Sequence, residues 1–415
     1  MLSDVIVGLD IGTSVIRAVI GEIDENGSLQ IIGVGKAPST GLRNGVIINI
    51  QATMSTITTA IDSAEFMSGR EVSAVITGIG GSQVEGVNSR GVVAVAAHGR
   101  NTHEITQDDV DRVIEAASAV KWPLDRKILH IIPQIYIVDG QGGIKKPVNM
   151  LGVRLEAEVH IITVAYTSMQ NILRCIGRAG YQVDEVMLKT LAAAKAITTE
   201  EERELGSILI DLGGGSTDAL VILNDAPICT TSIPLCGNHI TNDISIMCSI
   251  SFDIAERIKK TSGCCWEPLL ESGEMVTIPG VGGRPPEEVP RIEICRIIQP
   301  RVEETLVMLR DKIGSMVKNT QLSGNVVLTG GGALLPGLVE LAAEVFGTRA
   351  VRIGMPGNFG GLQDEYRRPE YSTAVGLIVS NMDKTHGVVS QKGEKSGEKK
   401  KNVFSALGDW FKEFF

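Results

Sequence analysis

Val5-Ile6-Val7-Gly8-Leu9-Asp10-Ile11-Gly12-Thr13-Ser14-Val15-Ile16-Arg17 and Ser207-Ile208-Leu209-Ile210-Asp211-Leu212-Gly213-Gly214-Gly215-Ser216-Thr217-Asp218 share one build. Each is a run of β-formers ending in an aspartate, then a glycine- and hydroxyl-rich turn, then more β-formers. This is the pattern of a β-hairpin with a tight turn. Two such hairpins in one chain predict two similar half-molecules facing a common cleft. Small residues let backbone N–H groups close around an anion, and an aspartate at each strand end can hold a hydrated cation between them. The pair therefore reads as a grip for the phosphates of a nucleotide.

The remaining composition is that of a globular protein of more than one lobe. The chain has 415 residues, 43% of them hydrophobic and 21% charged, with 47 glycines to supply turns. A net charge of −10 argues against a nucleic-acid-binding surface. No apolar run is long enough to predict a transmembrane helix. The opening Met1-Leu2-Ser3-Asp4 lacks a basic region and enters a strand at once, so no signal peptide is expected. Seven cysteines without framework spacing suit a reducing compartment.

Along the chain, residues 5–36 predict a three-stranded meander with turns at Gly12 and Asn26-Gly27. A helix over 51–68 and a strand over Val72–Thr77 follow. The texture then changes. Val92–Ala97, Lys127–Val138 and Arg154–Val164 read as strands, and Asp108–Val120 as an amphipathic helix, so this block is expected to be a small α+β insertion. Helices at 168–179 and 190–198 flank a strand at 183–188 and lead into the second hairpin. Helices at 238–249 and 252–261 precede the Gly/Pro-rich stretch Pro279–Pro290, expected to be loop. Ile292–Met316 predicts a long helix, interrupted or started by Pro300. Asn325–Gly337 predicts a buried strand running into Gly330-Gly331-Gly332 and then a helix, and Tyr371–Ser380 a last core helix.

Residues 383–401 are rich in Lys, Gly, Glu and Ser, without apolar periodicity, and predict a flexible linker. Beyond it, five of the chain's 16 aromatic residues (8 Phe, 5 Tyr, 3 Trp) crowd the last 12 positions. Val403, Phe404, Leu407, Trp410, Phe411, Phe414 and Phe415 share one helical face, with Ser405, Asp409, Lys412 and Glu413 opposite. Such a helix docks on a protein groove or lies in a membrane surface. The linker and the wide apolar face favour the membrane, with Lys399-Lys400-Lys401 as attraction to anionic lipid.

Gly12, Thr13 and Ser14 offer amides and hydroxyls to one side of the phosphates, and Gly213, Gly214, Gly215, Ser216 and Thr217 to the other. Asp10 and Asp211 are placed to hold Mg²⁺ through water, because Mg²⁺ sheds its hydration shell reluctantly. Arg17 alternates onto the cleft face, where it either pairs with phosphate or is a plain strand residue. Gly330, Gly331 and Gly332 let the backbone approach a nucleoside, and Leu335-Pro336 offers an apolar edge to adenine.

The two hairpins and the Gly330-Gly331-Gly332 strand–turn–helix resemble the actin/Hsp70/sugar-kinase superfamily, with its two phosphate loops and one adenosine loop in this order. Several further segments narrow the resemblance to the FtsA family of bacterial cell-division proteins. They are Glu85–Gly91, Glu104-Ile105-Thr106-Gln107-Asp108-Asp109-Val110, Arg126–Gln134, Val153–His160 and Gly237-Asn238-His239-Ile240-Thr241-Asn242-Asp243-Ile244, together with the aromatic tail behind its linker. The resemblance spans roughly 1–380 plus the tail.

It implies an α/β, actin-like fold of two lobes (duplicated ribonuclease H-like domains) with an inserted α+β subdomain and a C-terminal amphipathic helix. The implied partition is a first-lobe core over 1–80, the insertion over 81–163 and a return to the first lobe over 164–205. A second lobe over 206–355, a closing segment over 356–381, the linker over 382–401 and the membrane helix over 402–415 complete it. It further implies ATP with Mg²⁺ between the lobes, with Glu256 accepting from ribose hydroxyls and Lys259 beside the adenine or ribose. The expected partners are a second copy of the chain in a filament, the tubulin-like division protein FtsZ, other division proteins and the cytoplasmic face of the membrane at the division site. Arg291, Arg296, Arg301 and Arg310 lie along the long helical stretch and its approach. Arg296 and Arg301 either receive the acidic FtsZ tail or make ordinary ion pairs.

ATP-hydrolysing relatives carry Gln or Glu on the helix before the second phosphate hairpin. Here that segment is Leu188-Lys189-Thr190-Leu191-Ala192-Ala193-Ala194. Slow hydrolysis at most is therefore expected, and no catalytic residue is assigned. The competing readings are a sugar or acetate kinase of the same superfamily, and an actin-like filament protein of pilus assembly or cell shape.

Overall fold

A computed structural model describes residues 5–96, 104–280, 282–283, 285–317 and 325–382. The linker from 383 onward and the terminal segment 402–415 lie outside the described residues.

The β-rich opening folds as its alternation dictates. Val5–Ile11, Val15–Ile23 and Leu29–Pro38 form an antiparallel meander, and Asp10 stands opposite Arg17 across the first hairpin. Ala74–Ile79 pairs parallel with Val5–Ile11, Gln182–Leu188 pairs parallel with Ala74–Ile79, and Gly360–Gly361 closes the other edge. The second half repeats this order. Ala226–Ile233, Thr217–Leu223 and Ser207–Leu212 form the meander, and Asn325–Thr329 and Val351–Ile353 extend it in parallel. The duplication read from the twin hairpins is thus a duplication of whole sheets. Strands paired in parallel and covered on both faces need near-continuous apolar runs, which Ala74–Ile79 and Asn325–Thr329 supply.

Helix Ile50–Ser68 covers the first sheet. Asn49 caps it by accepting from the Ala52 amide, and Gly69 ends it in the left-handed conformation. Helix Ser372–Val379, almost wholly buried, returns to the first lobe and packs with helix Lys189–Ile197 and strand Val5–Ile11. Each lobe has its own apolar core.

The insertion is a four-stranded sheet ordered Val84–Ala94, Arg154–Ala165, Arg126–Val138, Gln141–Ile144. Helix Gln107–Ser118 buries Val110, Val113, Ile114 and Ala117 against it, and Thr106 and Asp109 close its first turn as a reciprocal cap. Burial opposes ionisation of Asp109, yet the Thr106 amide and hydroxyl, Arg112 and the Ala96 amide hold its carboxyl at about 2. The insertion touches the second lobe through a polar cluster in which His160 and Thr230 are buried. His160 lies 2.6 Å from Asn88 Oδ1 through Nδ1 and 2.9 Å from Thr230 Oγ1 through Nε2. Gln134 Nε2 donates to Asn88 Oδ1 at 3.1 Å and to the Pro227 carbonyl at 2.9 Å.

Two elements differ from expectation. The strand expected over Val92–Ala97 is Val84–Ala94, because pairing with Arg154–Ala165 extends through polar residues such as Asn88 and Arg90. Those side chains find partners in the second lobe and on Glu156. Within Pro279–Pro290, Glu287–Pro290 is a strand paired with Met275–Ile278 rather than loop. Pro290 is tolerated because it ends the strand of a two-stranded ribbon. The long helix Arg291–Met316 runs through Pro300 and gives up one backbone hydrogen bond there.

Candidate functional site

A cavity of about 480 Å³ lies between the lobes. Every residue assigned above to phosphate, cation or nucleoside contact lines it, from Asp10 in the first hairpin to Leu335 beyond the third glycine-rich loop. Arg296 and Arg301 do not.

The two hairpin turns meet at this cavity. A Cβ placed on Gly214 would lie 2.0 Å from Ser14 Oγ, and one on Gly215 would lie 2.2 Å from Thr13 Oγ1, so only glycine allows the turns to come this close. The Gly45 amide donates to Thr13 Oγ1 at 2.9 Å, and Ser14 Oγ donates to Asn238 Oδ1 at 3.4 Å. The second turn is held by the Gly213 amide donating to the Ser216 carbonyl. The Gly237 and Asn238 amides, at the start of helix Gly237–Met247, donate to the Gly213 and Gly214 carbonyls. In the third loop Gly330 has φ of 81°, and a Cβ there would lie 2.2 Å from Asp211 Oδ1. Gly331 meets nothing and leaves its backbone open to the cavity.

Three aspartates lie on the cavity wall. Asp10 Oδ1 is 2.7 Å from Lys189 Nζ, a contact that is ionic rather than an aligned hydrogen bond. Asp218 accepts from the Gly81 amide, at 3.1 and 3.2 Å to its two oxygens, and from Ser216 Oγ at 3.1 Å. Asp211 titrates at about 7, raised by burial first and then by Asp218 and Asp10, with Lys189 and Arg17 opposing. Burial likewise raises Asp218. Hard oxygen donors short of positive charge suit a divalent cation such as Mg²⁺. Among the described residues no three Asp, Glu, His or Cys side chains converge to ligate an ion directly. Arg17 stacks its guanidinium 5.3 Å from the centre of the Tyr371 ring, and its buried Nε has no hydrogen-bond partner.

Glu256 and Lys259 line the same cavity but hold each other. Lys259 Nζ lies 2.7 Å from Glu256 Oε2 and donates to the Gly237 carbonyl at 2.9 Å and to Thr241 Oγ1 at 2.7 Å. Burial works to raise the Glu256 carboxyl, yet Lys259, Thr241 and Lys260 bring it below the ordinary range. Arg301 is held by Asp243, at 2.6 and 3.2 Å, and by Glu304; Arg296 pairs with Glu293 and Glu267.

Asp218 and Lys189 are among the cavity residues that the sequence alone did not point to. Asp218 is the register partner of Asp211, and only the hairpin pairing shows that their side chains share a face. Lys189 begins the helix searched for Gln or Glu; its long stem gave no sign of reaching Asp10.

Fold and cleft together define an actin-like protein of two duplicated lobes. Solved structures with this fold include the PilM–PilN type IV pilus biogenesis complex (TM-score 0.64, 17% identity, 91% of this chain and 98% of that one). Another is MreB 5 of Spiroplasma citri bound to AMPPNP (TM-score 0.54, 15% identity, 93% and 98%). The family model described as "Cell division protein FtsA" matches residues 208–376, and that of the "SHS2 domain inserted in FTSA" matches 81–163. The cell division protein FtsA of Borreliella burgdorferi is 43% identical over 417 residues, covering 100% of both chains. That of Pseudomonas aeruginosa is 39% identical over 98% of this chain and 97% of its own. The chain belongs to the FtsA family of cell-division proteins. The kinase and the pilus or cell-shape readings fall with that membership.

Proposed function

We propose that this chain binds ATP with Mg²⁺ between its lobes, polymerises, and ties the tubulin-like division protein FtsZ to the cytoplasmic face of the membrane. The observation that carries the nucleotide part is the convergence of three glycine-rich segments, remote in sequence, on one cavity with Asp10 and Asp211 on its wall. Amides and hydroxyls of the two turns take the phosphates, the aspartates take Mg²⁺ through water, and Glu256, Lys259 and Leu335 border the nucleoside. Arg17, with a buried donor unmet, is available to phosphate.

Among the described residues no helix is long and apolar enough to cross a membrane. Attachment is assigned to Val403, Phe404, Leu407, Trp410, Phe411, Phe414 and Phe415. Burying seven apolar side chains gives on the order of 10 kcal/mol gross, much of it offset by ordering. One tail then binds reversibly and many on a filament bind firmly. Arg296 and Arg301 are assigned to the acidic tail of FtsZ, whose carboxylates would exchange with those of Glu267, Glu293, Asp243 and Glu304.

Co-sedimentation with anionic liposomes tests the reading, with and without ATP, comparing the full chain with one lacking 402–415. The full chain should pellet, more with ATP, and the truncated chain should stay in solution. Equal pelleting of both would remove the tail from the mechanism. No effect of ATP would remove the nucleotide.

A further inference from the structure

Lys189 is held in the cleft by a purpose-shaped path. It is the first residue of helix Lys189–Ile197, directly after strand Gln182–Leu188. Its stem runs over two glycines: a Cβ on Gly78 would lie 2.7 Å from Lys189 Cγ, and one on Gly80 would lie 3.3 Å from Lys189 Cδ. At the end of that path Nζ donates to the Ile11 carbonyl at 2.7 Å and pairs with Asp10 Oδ1 at 2.7 Å. Both partners stand just before the Gly12-Thr13-Ser14 turn. An ammonium has three donors; one goes to the Ile11 carbonyl and the Asp10 contact is ionic, so at least one remains for the cavity.

The other cations around the cavity are committed differently. Lys259 and Lys260 serve Glu256, Arg368 lies 3.1 Å from Glu370, and Arg17 sits over Tyr371 with its buried Nε unmet, in no ion-pair contact with an aspartate of the wall. Among the described residues Lys189 is the cavity cation in ion-pair contact with Asp10, on the wall that also carries Asp211 and Asp218. Bringing a polyphosphate to three carboxylates without counter-charge is strongly unfavourable in a partly desolvated cleft.

We propose that Lys189 is a resident counter-cation of the cleft, offsetting the aspartates and meeting the bound polyphosphate, so that retention of nucleotide depends less on a divalent ion. This rests on the reading of the cleft as a nucleotide site. Lys189 would be a binding residue; as a group with donors and no acceptor it cannot orient a water by accepting its proton.

The test is a titration of the full chain with a fluorescent ATP analogue, once in excess Mg²⁺ and once in EDTA. It is read as the ratio of the two dissociation constants for wild type, Lys189→Met and Lys189→Arg. Wild type should weaken no more than about thirtyfold in EDTA, Lys189→Met should raise that ratio by a further tenfold or so, and Lys189→Arg should stay near wild type. Equal ratios for wild type and Lys189→Met overturn the proposal and leave the nucleotide site standing. If Lys189→Met fails to fold, the wild-type arm still decides, since a loss beyond about thirtyfold in EDTA overturns it. If wild type binds the analogue in neither buffer, the nucleotide reading falls first and the proposal with it.

Discussion

Asp211 and Asp218 face each other across the second hairpin, in the two register positions that Asp10 and Arg17 hold in the first. The duplicated turns are thus alike in backbone and opposite in charge balance: the first offers a cation beside its aspartate, the second another anion. The second lobe therefore holds an electrostatic burden that a bound cation relieves. Asp211→Asn should raise the stability of the ligand-free protein at pH 8 by about 1 kcal/mol while weakening Mg²⁺-dependent nucleotide binding. Thermal melting and nucleotide titration measure the two together. A variant that is less stable and binds normally would contradict it.

Gly330 and Gly331 are adjacent and should respond differently to the same change. At Gly330 both φ of 81° and the 2.2 Å approach to Asp211 Oδ1 forbid a Cβ. Gly330→Ala should therefore cost about 2 kcal/mol or more. Gly331 has open space, so Gly331→Ala should leave the melting temperature near wild type and reduce only nucleotide affinity. Denaturant unfolding of both variants, with a nucleotide titration of the second, checks this.

His160 is 1% exposed, and burial brings its ring down to about 4. A histidine with a depressed folded pKa contributes stability above its unfolded value near 6.5, lost as pH falls toward the folded one. Between pH 6.5 and 4 the protein should thus lose up to about 3 kcal/mol from this site. The junction of the insertion with the second lobe should loosen first. His160→Gln should be less stable at pH 7.5 and show a flatter pH profile, read by melting temperature across that range. A wild-type profile in the variant would exclude His160 as the titrating group.

Arg301 is bidentate on Asp243 and also meets Glu304. A partly exposed pair of this kind is worth on the order of 1 kcal/mol. Arg301→Glu should cost somewhat more through repulsion, and Asp243→Lys in the same chain should restore part of it. If Arg301 also receives an acidic partner peptide, the double variant will recover stability but not peptide affinity. Recovery of both would leave Arg301 a structural ion pair.

Much of the site was legible because tight turns declare themselves locally. Gly12 and the Gly213-Gly214-Gly215 run mark places where backbone must come close, and an aspartate ending a β-run faces the same way in both halves. Helix Gln107–Ser118 was legible from the spacing of Val110, Val113 and Ile114. The strand Glu287–Pro290 was not, since proline and glycine density signals loop unless a partner strand is known. Asp218 and Lys189 were hidden for a related reason: register and the reach of a long side chain are properties of pairs of elements.

The order of residues by itself determined the duplicated hairpins, the three glycine-rich loops and the apolar runs that build two parallel-extended sheets, because turn chemistry and periodicity act within a few residues. Only the tertiary structure decided that Thr13 and Ser14 would press against Gly215 and Gly214. It also decided that Lys259 would reach the Gly237 carbonyl and Thr241, and that Lys189 would run past Gly78 and Gly80 to Asp10. The contacts of Thr13, Ser14 and Lys189 join segments far apart in the chain, and their charges acquire meaning only when burial removes the water that would otherwise screen them.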